Sequence, residues 1–229
     1  MRVEILADGE AASRRAAEIM SQLALESIAG RGRCVMALSG GTEPWEAFRI
    51  LAAKDLPWDA VHVLQVDERV APARHPDRNF THLRESLLDR VRLAHAHAMP
   101  VEESDLEAAA ERYAQLMREL AGSPPRLDFV HLGLGEDGHT ASLAPGDRVL
   151  DVIDADVAVT GEFRGRRRMT LTLPAINRAR YIVWLVVGER KAAALERLLE
   201  GASSDPAARV REECAILVAD QAAAKRRPR

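Results

Sequence analysis

Short apolar runs alternate with longer amphipathic stretches along most of the chain. Residues 181–187 form a near-continuous apolar run, which is typical of a strand covered on both faces. Residues 103–120 instead place apolar side chains at helical spacing. The alternation predicts a three-layer α/β/α fold, with a mostly parallel, doubly wound sheet between two layers of helices.

The same patterns predict the bounds of the elements. We predict strands at 3–6, 34–38, 61–66, 127–132, 169–173, 181–187 and 215–218. We predict helices at about 10–29, 44–54, 79–91, 103–120 and 191–199. Asp8 and Asn79 are candidate helix caps, Gly30 is a candidate helix stop, and 69–78 is predicted as a loop.

No internal repeat or low-complexity linker divides the chain. A hydrophobic fraction of 47% in 229 residues is enough for the core of one large domain. We therefore expect a single α/β domain over 1–224. The basic segment 225–229 is expected to be a disordered, solvated tail.

Ligands of doubly wound sheets bind at the carboxyl ends of the strands. That rule singles out the loops that follow Leu38, Val66, Leu132 and Val187. These four loops also contain clusters of glycine and charged residues, so we expect them to form a single site.

The first of these loops is Ser39, Gly40, Gly41 and Thr42. Two glycines let the backbone approach a ligand closely, and free N–H groups at a helix start bind phosphate. The loop is no Walker motif, because Gly-Lys followed by Ser or Thr is missing. The alternative interpretation is a tight turn between a strand and a helix.

Cationic residues stand in the other loops. Arg69 lies beside Asp67 at a strand end, where a guanidinium can hold a phosphate or carboxylate. Lys191 follows a buried strand and suits phosphate as a point charge. Arg168 begins another predicted strand. The alternative for each is ordinary surface charge or a salt-bridge cluster.

The loop at 133–143 contains three glycines, two carboxylates and a histidine. This density of glycine, which includes Gly138, implies unusual backbone angles that a simple connection does not need. His139 near Asp137 is suited to take a proton from water. A lone histidine is more often structural, but this one has a carboxylate neighbour, so we favour a catalytic role.

Composition excludes several classes of protein. The net charge is -3, from 32 basic and 35 acidic residues, which argues against a nucleic-acid binder. The first residues turn acidic too early for a signal peptide, and no apolar run approaches the roughly 18 residues of a membrane helix. We expect a cytoplasmic protein without a membrane or nucleic-acid partner. No Cys-x-x-Cys occurs, so we expect no structural zinc.

Several blocks together resemble the 6-phosphogluconolactonase family. They are Ser39-Gly40-Gly41-Thr42, Asp67-Glu68-Arg69, His75-Pro76-Asp77-Arg78-Asn79, the 133–143 loop with Pro145-Gly146, the segment 168–177, and the 188–191 turn. The blocks span most of the chain, in the order of the family. Their combination is highly specific, although each block alone is short.

The resemblance implies a fold shared with glucosamine-6-phosphate deaminase and ribose-5-phosphate isomerase. It also implies a metal-independent lactonase without a cofactor, acting on a phosphorylated sugar lactone. His139 is then the catalytic base, and Asp137 is its neighbour. The groups around the phosphorylated sugar acid are Ser39, Gly40, Gly41, Thr42, Asp67, Arg69, Gly138, Arg168 and Lys191. A monomer and a small homo-oligomer are both compatible with the sequence.

The first glycine loop departs from the family, which usually has Ser-Thr-Pro where this chain has Thr42-Glu43-Pro44. Glu43 places a negative charge near the expected anion site. Two other functions remain in view, an amino-sugar phosphate deaminase or isomerase, and a sugar-phosphate sensor without catalytic activity. The segment 140–146 lacks the extra carboxylate that such a deaminase needs, and no basic helix-turn-helix for a sensor precedes residue 30.

Overall fold

The computed structural model describes residues 1–41, 43–92, 95–202 and 204–225. The strands are β1 (Arg2–Leu6), β2 (Cys34–Leu38), β3 (Val61–Gln65), β4 (Asp67–Arg69), β5 (His95–His97), β6 (Phe129–Leu132), β7 (Val157–Val159), β8 (Arg168–Leu171), β9 (Tyr181–Val186) and β10 (Ala215–Asp220). The helices are α1 (Gly9–Arg31), α2 (Pro44–Ala52), α3 (Asn79–Ser86), α4 (Leu106–Ala121), α5 (Leu173–Asn177) and α6 (Ala192–Leu199).

Seven strands form one parallel sheet in the order β1-β10-β9-β6-β2-β3-β5. After β2 the chain continues on one side with β3 and β5. It then returns to β6 on the other side of β2 and moves outward through β9 and β10. The crevice between β2 and β6 is therefore the switch point at which ligands of such sheets bind.

Apolar side chains pack on both faces of this sheet. On one face, α1 and α2 cover the sheet around Met20, Phe48 and Leu51. On the other face, α4, α5 and α6 pack around Tyr113 and Trp184. The predicted three-layer α/β/α fold with a mostly parallel sheet is confirmed. Within the described part of the chain, each helix is either too short or too polar to cross a membrane.

A second, three-stranded sheet was not predicted. It is antiparallel, in the order β4-β8-β7. Strand β4 pairs Asp67 with Thr170 and Arg69 with Arg168. The prediction that Arg69 begins a loop is therefore wrong: β4 has only three residues, all charged, and finds its partner about a hundred positions away in the chain. This small sheet brings Asp67 and Arg168 to the carboxyl end of the main sheet.

The ends of α1 show which capping predictions were right. The side chain of Asp8 accepts a hydrogen bond from the backbone N–H of Ala11 at 2.8 Å, as expected of an N-cap. The helix continues past Gly30 and ends at Gly32, whose φ of 75° is left-handed. The prediction of Gly30 as the stop is wrong, because Gly30 keeps the helical conformation and Gly32 is the glycine that adopts the left-handed angle that closes the helix.

The start of α3 is capped by a residue from a different element. The buried carboxylate of Glu68 accepts hydrogen bonds from the backbone N–H groups of Asn79 and Phe80, each at 2.8 Å. It also accepts from the backbone N–H of Arg69, and Arg78 Nε lies 3.0 Å away. The predicted capping role of Asn79 is wrong, since its side chain instead donates to the carbonyl of Asp67 at 3.0 Å.

We expect Glu68→Gln to lower the free energy of unfolding by about 3 kcal/mol. An amide at this position offers one acceptor oxygen where two are used, and its NH2 group would face backbone N–H groups. The matched control is Glu102→Gln, because Glu102 also pairs with Arg78, at 2.6 Å, but is half exposed. The control should change stability by less than about 0.5 kcal/mol in urea denaturation. Equal losses in both variants would contradict the role of Glu68.

Candidate active site

A pocket of about 350 Å³ lies at the carboxyl end of the main sheet. It receives residues from each of the four loops that the sequence singled out. Eight of the predicted site residues line it, namely Ser39, Gly40, Gly41, Asp67, Arg69, His139, Arg168 and Lys191. The predicted convergence of these loops is thus seen in the structure.

The other three predicted residues are placed differently. Asp137 is not part of the pocket lining, but its carboxylate is hydrogen-bonded to His139 and lies 3.7 Å from Arg164 Nη2, and both of these residues line the pocket. Gly138 packs against the side chain of Asp205 and is not part of the pocket lining. Thr42 lies outside the described residues.

Two of the three glycines of the third loop, Gly135 and Gly138, are in close contact with neighbouring side chains. The backbone N–H of Gly135 donates to the carbonyl of His139 at 2.8 Å, and Gly138 N–H donates to the carbonyl of Gly135 at 3.0 Å. A Cβ on Gly135 would lie 2.0 Å from His139 Nδ1. Gly138 has φ of 82°, and a Cβ there would meet Asp205 at 2.3 Å. A side chain at either position therefore requires His139 or Asp205 to move.

His139 and Asp137 form a hydrogen-bonded pair between Nδ1 and Oδ1. The bond leaves Nε2 of His139 as the nitrogen that can act on a ligand. Among the described residues, no side chain or backbone group is hydrogen-bonded to Nε2. A carboxylate on Nδ1 fixes the ring and the tautomer, so Nε2 carries a lone pair.

The protonation state of His139 follows from opposing effects. Burial lowers the pKa of His139, the hydrogen bond and charge of Asp137 raise it, and the nearby charge of Arg164 lowers it again. The net result is a pKa below the ordinary value, so the imidazole is neutral at pH 7. Neutral imidazole is the form that can accept a proton. Burial alone would raise the pKa of Asp137, but His139 outweighs burial and lowers it.

Phe163 connects His139 to two of the cations. The His139 ring packs edge-on against it, with ring centroids 5.4 Å apart. The guanidinium carbons of Arg164 and Arg168 each lie 5.0 Å from its centroid. The sequence analysis missed Phe163 and Arg164. The only signal was a lone aromatic between Gly161 and Gly165 in a chain with 4% aromatic residues.

Arg168 is held at the back of the pocket and is only 7% exposed. Its Nη1 lies 3.5 Å from Ser142 Oγ, and that hydroxyl donates to Asp67 Oδ2 at 2.6 Å. Burial lowers the pKa of Arg168, and the charge of Asp67 raises it in opposition. A guanidinium keeps its proton under such conditions, so Arg168 is a buried cation directed by a fixed carboxylate.

Basic side chains outnumber acidic ones in the pocket lining. The basic residues are Arg69, Arg164, Arg168, Arg190 and Lys191, and the acidic residues are Glu43, Asp67 and Glu136. Lys191 Nζ lies 3.5 Å from Glu43 Oε1, so a carboxylate partly neutralises this cation. The pocket is therefore suited to an anionic ligand, and Glu43 is positioned to compete with it.

A close contact with α3 and a positive φ angle explain the two glycines of the first loop. A Cβ on Gly40 would lie 1.9 Å from Oδ1 of Asn79, and Gly41 has φ of 131°. The loop can therefore lie directly against the start of α3, beneath the pocket.

Comparison with known proteins agrees with this arrangement. Residues 7–218 match the family of glucosamine-6-phosphate isomerases/6-phosphogluconolactonase. A 6-phosphogluconolactonase of Synechocystis sp. is 40% identical over 200 residues, which cover 85% of this chain and 83% of that protein. The chain belongs to this family. The resemblance inferred from the sequence blocks is confirmed.

Solved structures of the family have the same fold. The 6-phosphogluconolactonase of Thermotoga maritima superposes with a TM-score of 0.83 at 26% identity, covering 96% of this chain and 98% of that one. A monomeric glucosamine-6-phosphate deaminase superposes with a TM-score of 0.84 at 22% identity, covering 98% of this chain and 99% of that one. The second likeness shows a shared fold alone.

We expect Gly135→Ala to lower the kcat of lactone hydrolysis by about 10²-fold. The added Cβ must displace the His139 ring by about an ångström or more. The control is Gly30→Ala in α1, outside the pocket lining, where a Cβ would meet nothing within 4 Å. The control should keep nearly all of the activity. Circular dichroism and urea denaturation establish that both variants fold, and similar activity in the two variants would contradict the prediction.

Two neighbours should move the pH dependence of kcat/KM in opposite directions. Asp137→Asn removes an effect that raises the pKa of His139, so the acid limb should move to lower pH, with a fall in the plateau. Arg164→Gln removes an effect that lowers the same pKa, so the acid limb should move to higher pH. Shifts of the same sign in both variants would mean that His139 does not govern this limb.

Proposed function

We propose that this chain hydrolyses 6-phospho-D-glucono-1,5-lactone to 6-phospho-D-gluconate, with His139 as general base. This is the second step of the oxidative pentose phosphate pathway, and we place it in the cytoplasm without a metal or cofactor. The observation that carries the proposal is that His139, hydrogen-bonded to Asp137, lines a pocket together with five basic side chains. The 40% identical Synechocystis relative is named for the same activity.

The substrate is a cyclic ester with a phosphate at its far end. Phosphate binding away from the reacting carbon can orient the lactone against His139. We propose that the phosphate is bound by Lys191, Arg69 and the first glycine loop. Arg168 has a buried guanidinium and is a further candidate to hold the sugar acid.

Nε2 of His139 would take a proton from water as the water oxygen bonds to the lactone carbonyl carbon. The carbonyl oxygen becomes an oxyanion, which backbone N–H groups of the glycine turn or Arg69 can stabilise. As the carbonyl re-forms, the bond from that carbon to the ring oxygen breaks. His139 then returns its proton to the leaving alkoxide, and the product is the open-chain acid. General-base help of this kind contributes roughly 10²–10⁴-fold in rate.

The described part of the 140–146 segment provides hydroxyl and apolar side chains, and no carboxylate, near the pocket. A deaminase would need further acid–base groups to open the ring and move a proton at carbon. The lactonase is therefore favoured over this second enzyme. Ammonia release from glucosamine-6-phosphate is the assay that would support the deaminase instead.

The function is tested by titrating acid release from freshly prepared phosphorylated lactone, above the rate of spontaneous hydrolysis. We expect His139→Ala to lower kcat by about 10²-fold or more, because the base is lost. His82→Ala is the control, since the partly exposed side chain of His82 lies on α3 outside the pocket lining. No turnover by the unmodified protein would refute the lactonase, and full turnover by folded His139→Ala would refute the assigned base.

The proposed phosphate site is tested with two variants of one ion pair. We expect Lys191→Ala to raise KM for the phosphorylated lactone roughly tenfold, because a charged hydrogen bond to phosphate is lost. Glu43→Gln should lower the same KM by about threefold, because Lys191 no longer has a competing carboxylate. Neither change should appear with unphosphorylated gluconolactone. Equal effects on both substrates would remove Lys191 from the phosphate site.

A further inference from the structure

A buried histidine that the mechanism does not use lies beneath the pocket. His131 is in β6 and is 0% exposed. Its Nδ1 lies 3.1 Å from Oγ of Ser39, which lines the pocket at the end of the neighbouring strand β2. Its Nε2 is buried and has no hydrogen-bond partner among the described residues. The ring of Phe48 packs against it, with centroids 5.1 Å apart.

The position of the single ring proton decides what Ser39 can do. Burial lowers the pKa of His131 to about 3, so the ring is neutral and carries one N–H. If Nε2 holds the proton, Ser39 donates its hydroxyl to Nδ1 and presents only oxygen lone pairs to the pocket. If Nδ1 holds it, His131 donates to Ser39 Oγ, and the hydroxyl proton of Ser39 is free to point into the pocket.

An anion bound in the pocket would stabilise one of these two tautomers over the other. Lone pairs of Ser39 would repel a phosphate oxygen, whereas a free O–H would donate a charge-assisted hydrogen bond to it. Nε2 has no partner in either tautomer, and a buried N–H without an acceptor is less favourable than a buried lone pair without a donor. Both effects favour the Nδ1–H tautomer when an anion is bound.

We propose that His131 is a positioning residue that donates Nδ1–H to Ser39 and thereby makes the Ser39 hydroxyl a hydrogen-bond donor to the phosphate of the substrate. The identity of that phosphate rests on the proposed function. His131 itself touches no substrate and acts only through Ser39. His131 is the one polar side chain of β6, whose other residues are apolar.

The tautomer can be observed directly by ¹⁵N NMR of the seven histidine side chains in the folded protein. His131→Asn identifies the signal, because the His131 resonances disappear from its spectrum. With 6-phosphogluconate bound, and separately with inorganic phosphate, we expect a protonated Nδ1 and an unprotonated Nε2. A protonated Nε2 in the complex would overturn the proposal.

Binding of 6-phosphogluconate measured by calorimetry provides a second, independent test. We expect His131→Leu to weaken binding roughly fivefold, because Ser39 loses its donor and its fixed rotamer. The amide nitrogen of Asn can replace Nδ1 of a histidine, so His131→Asn should bind within about twofold of the unmodified protein. In steady-state kinetics the loss in His131→Leu should appear in KM and leave kcat nearly unchanged.

A double-mutant cycle separates positioning from a general structural effect. In a Ser39→Ala background, His131→Leu should cause no further loss of binding, since there is no hydroxyl left to position. Independent, additive losses would overturn the proposal. If His131→Leu does not fold, the NMR spectrum and the His131→Asn variant still decide the question.

These measurements need no turnover. A protein that binds 6-phosphogluconate with the Nδ1–H tautomer but does not hydrolyse the lactone would refute the proposed function and retain the role of His131. A lactonase with the Nε2–H tautomer in the complex would do the reverse.

Discussion

The buried carboxylate of Glu68 is the constraint on which the pocket depends. It binds backbone N–H groups at the start of α3 and the guanidinium of Arg78, and so joins β4 to that helix. Because Asp67 and Arg69 flank Glu68, the same bonds set where these two side chains stand. A carboxylate at 0% exposure is stable only when its oxygens have hydrogen-bond and ion-pair partners. The junction between β4 and α3 therefore has one arrangement.

The pocket keeps one base neutral among several permanent cations. Burial disfavours the protonated form of His139, and Asp137 only partly offsets this. Burial also disfavours the charged form of Arg168, but this residue keeps its charge because a guanidinium has a far higher pKa than an imidazole. His139 and Arg168 therefore differ in protonation state although both pack against the ring of Phe163. A proton acceptor and an anion site can thus share a small volume.

The closest approaches in the site are permitted by residues without side chains. Gly135 lets the His139 ring lie against the loop backbone, and Gly40 does the same for Asn79 of α3. Glu43, next to the first glycine loop, lies 3.5 Å from Lys191. The pocket therefore combines positions with little room for a side chain and a cation that is partly neutralised by a carboxylate.

The sequence by itself determined the three layers, the parallel sheet and the four loops at its carboxyl end, because apolar periodicity and glycine clusters are local signals. It also indicated His139 and Lys191. Only the tertiary structure decided the antiparallel β4–β8 pairing, the capping of α3 by Glu68 and the contacts of Phe163 and His131. These contacts join residues that are far apart in the chain. The sequence around a polar side chain in a short strand does not show which distant group will be its hydrogen-bond partner.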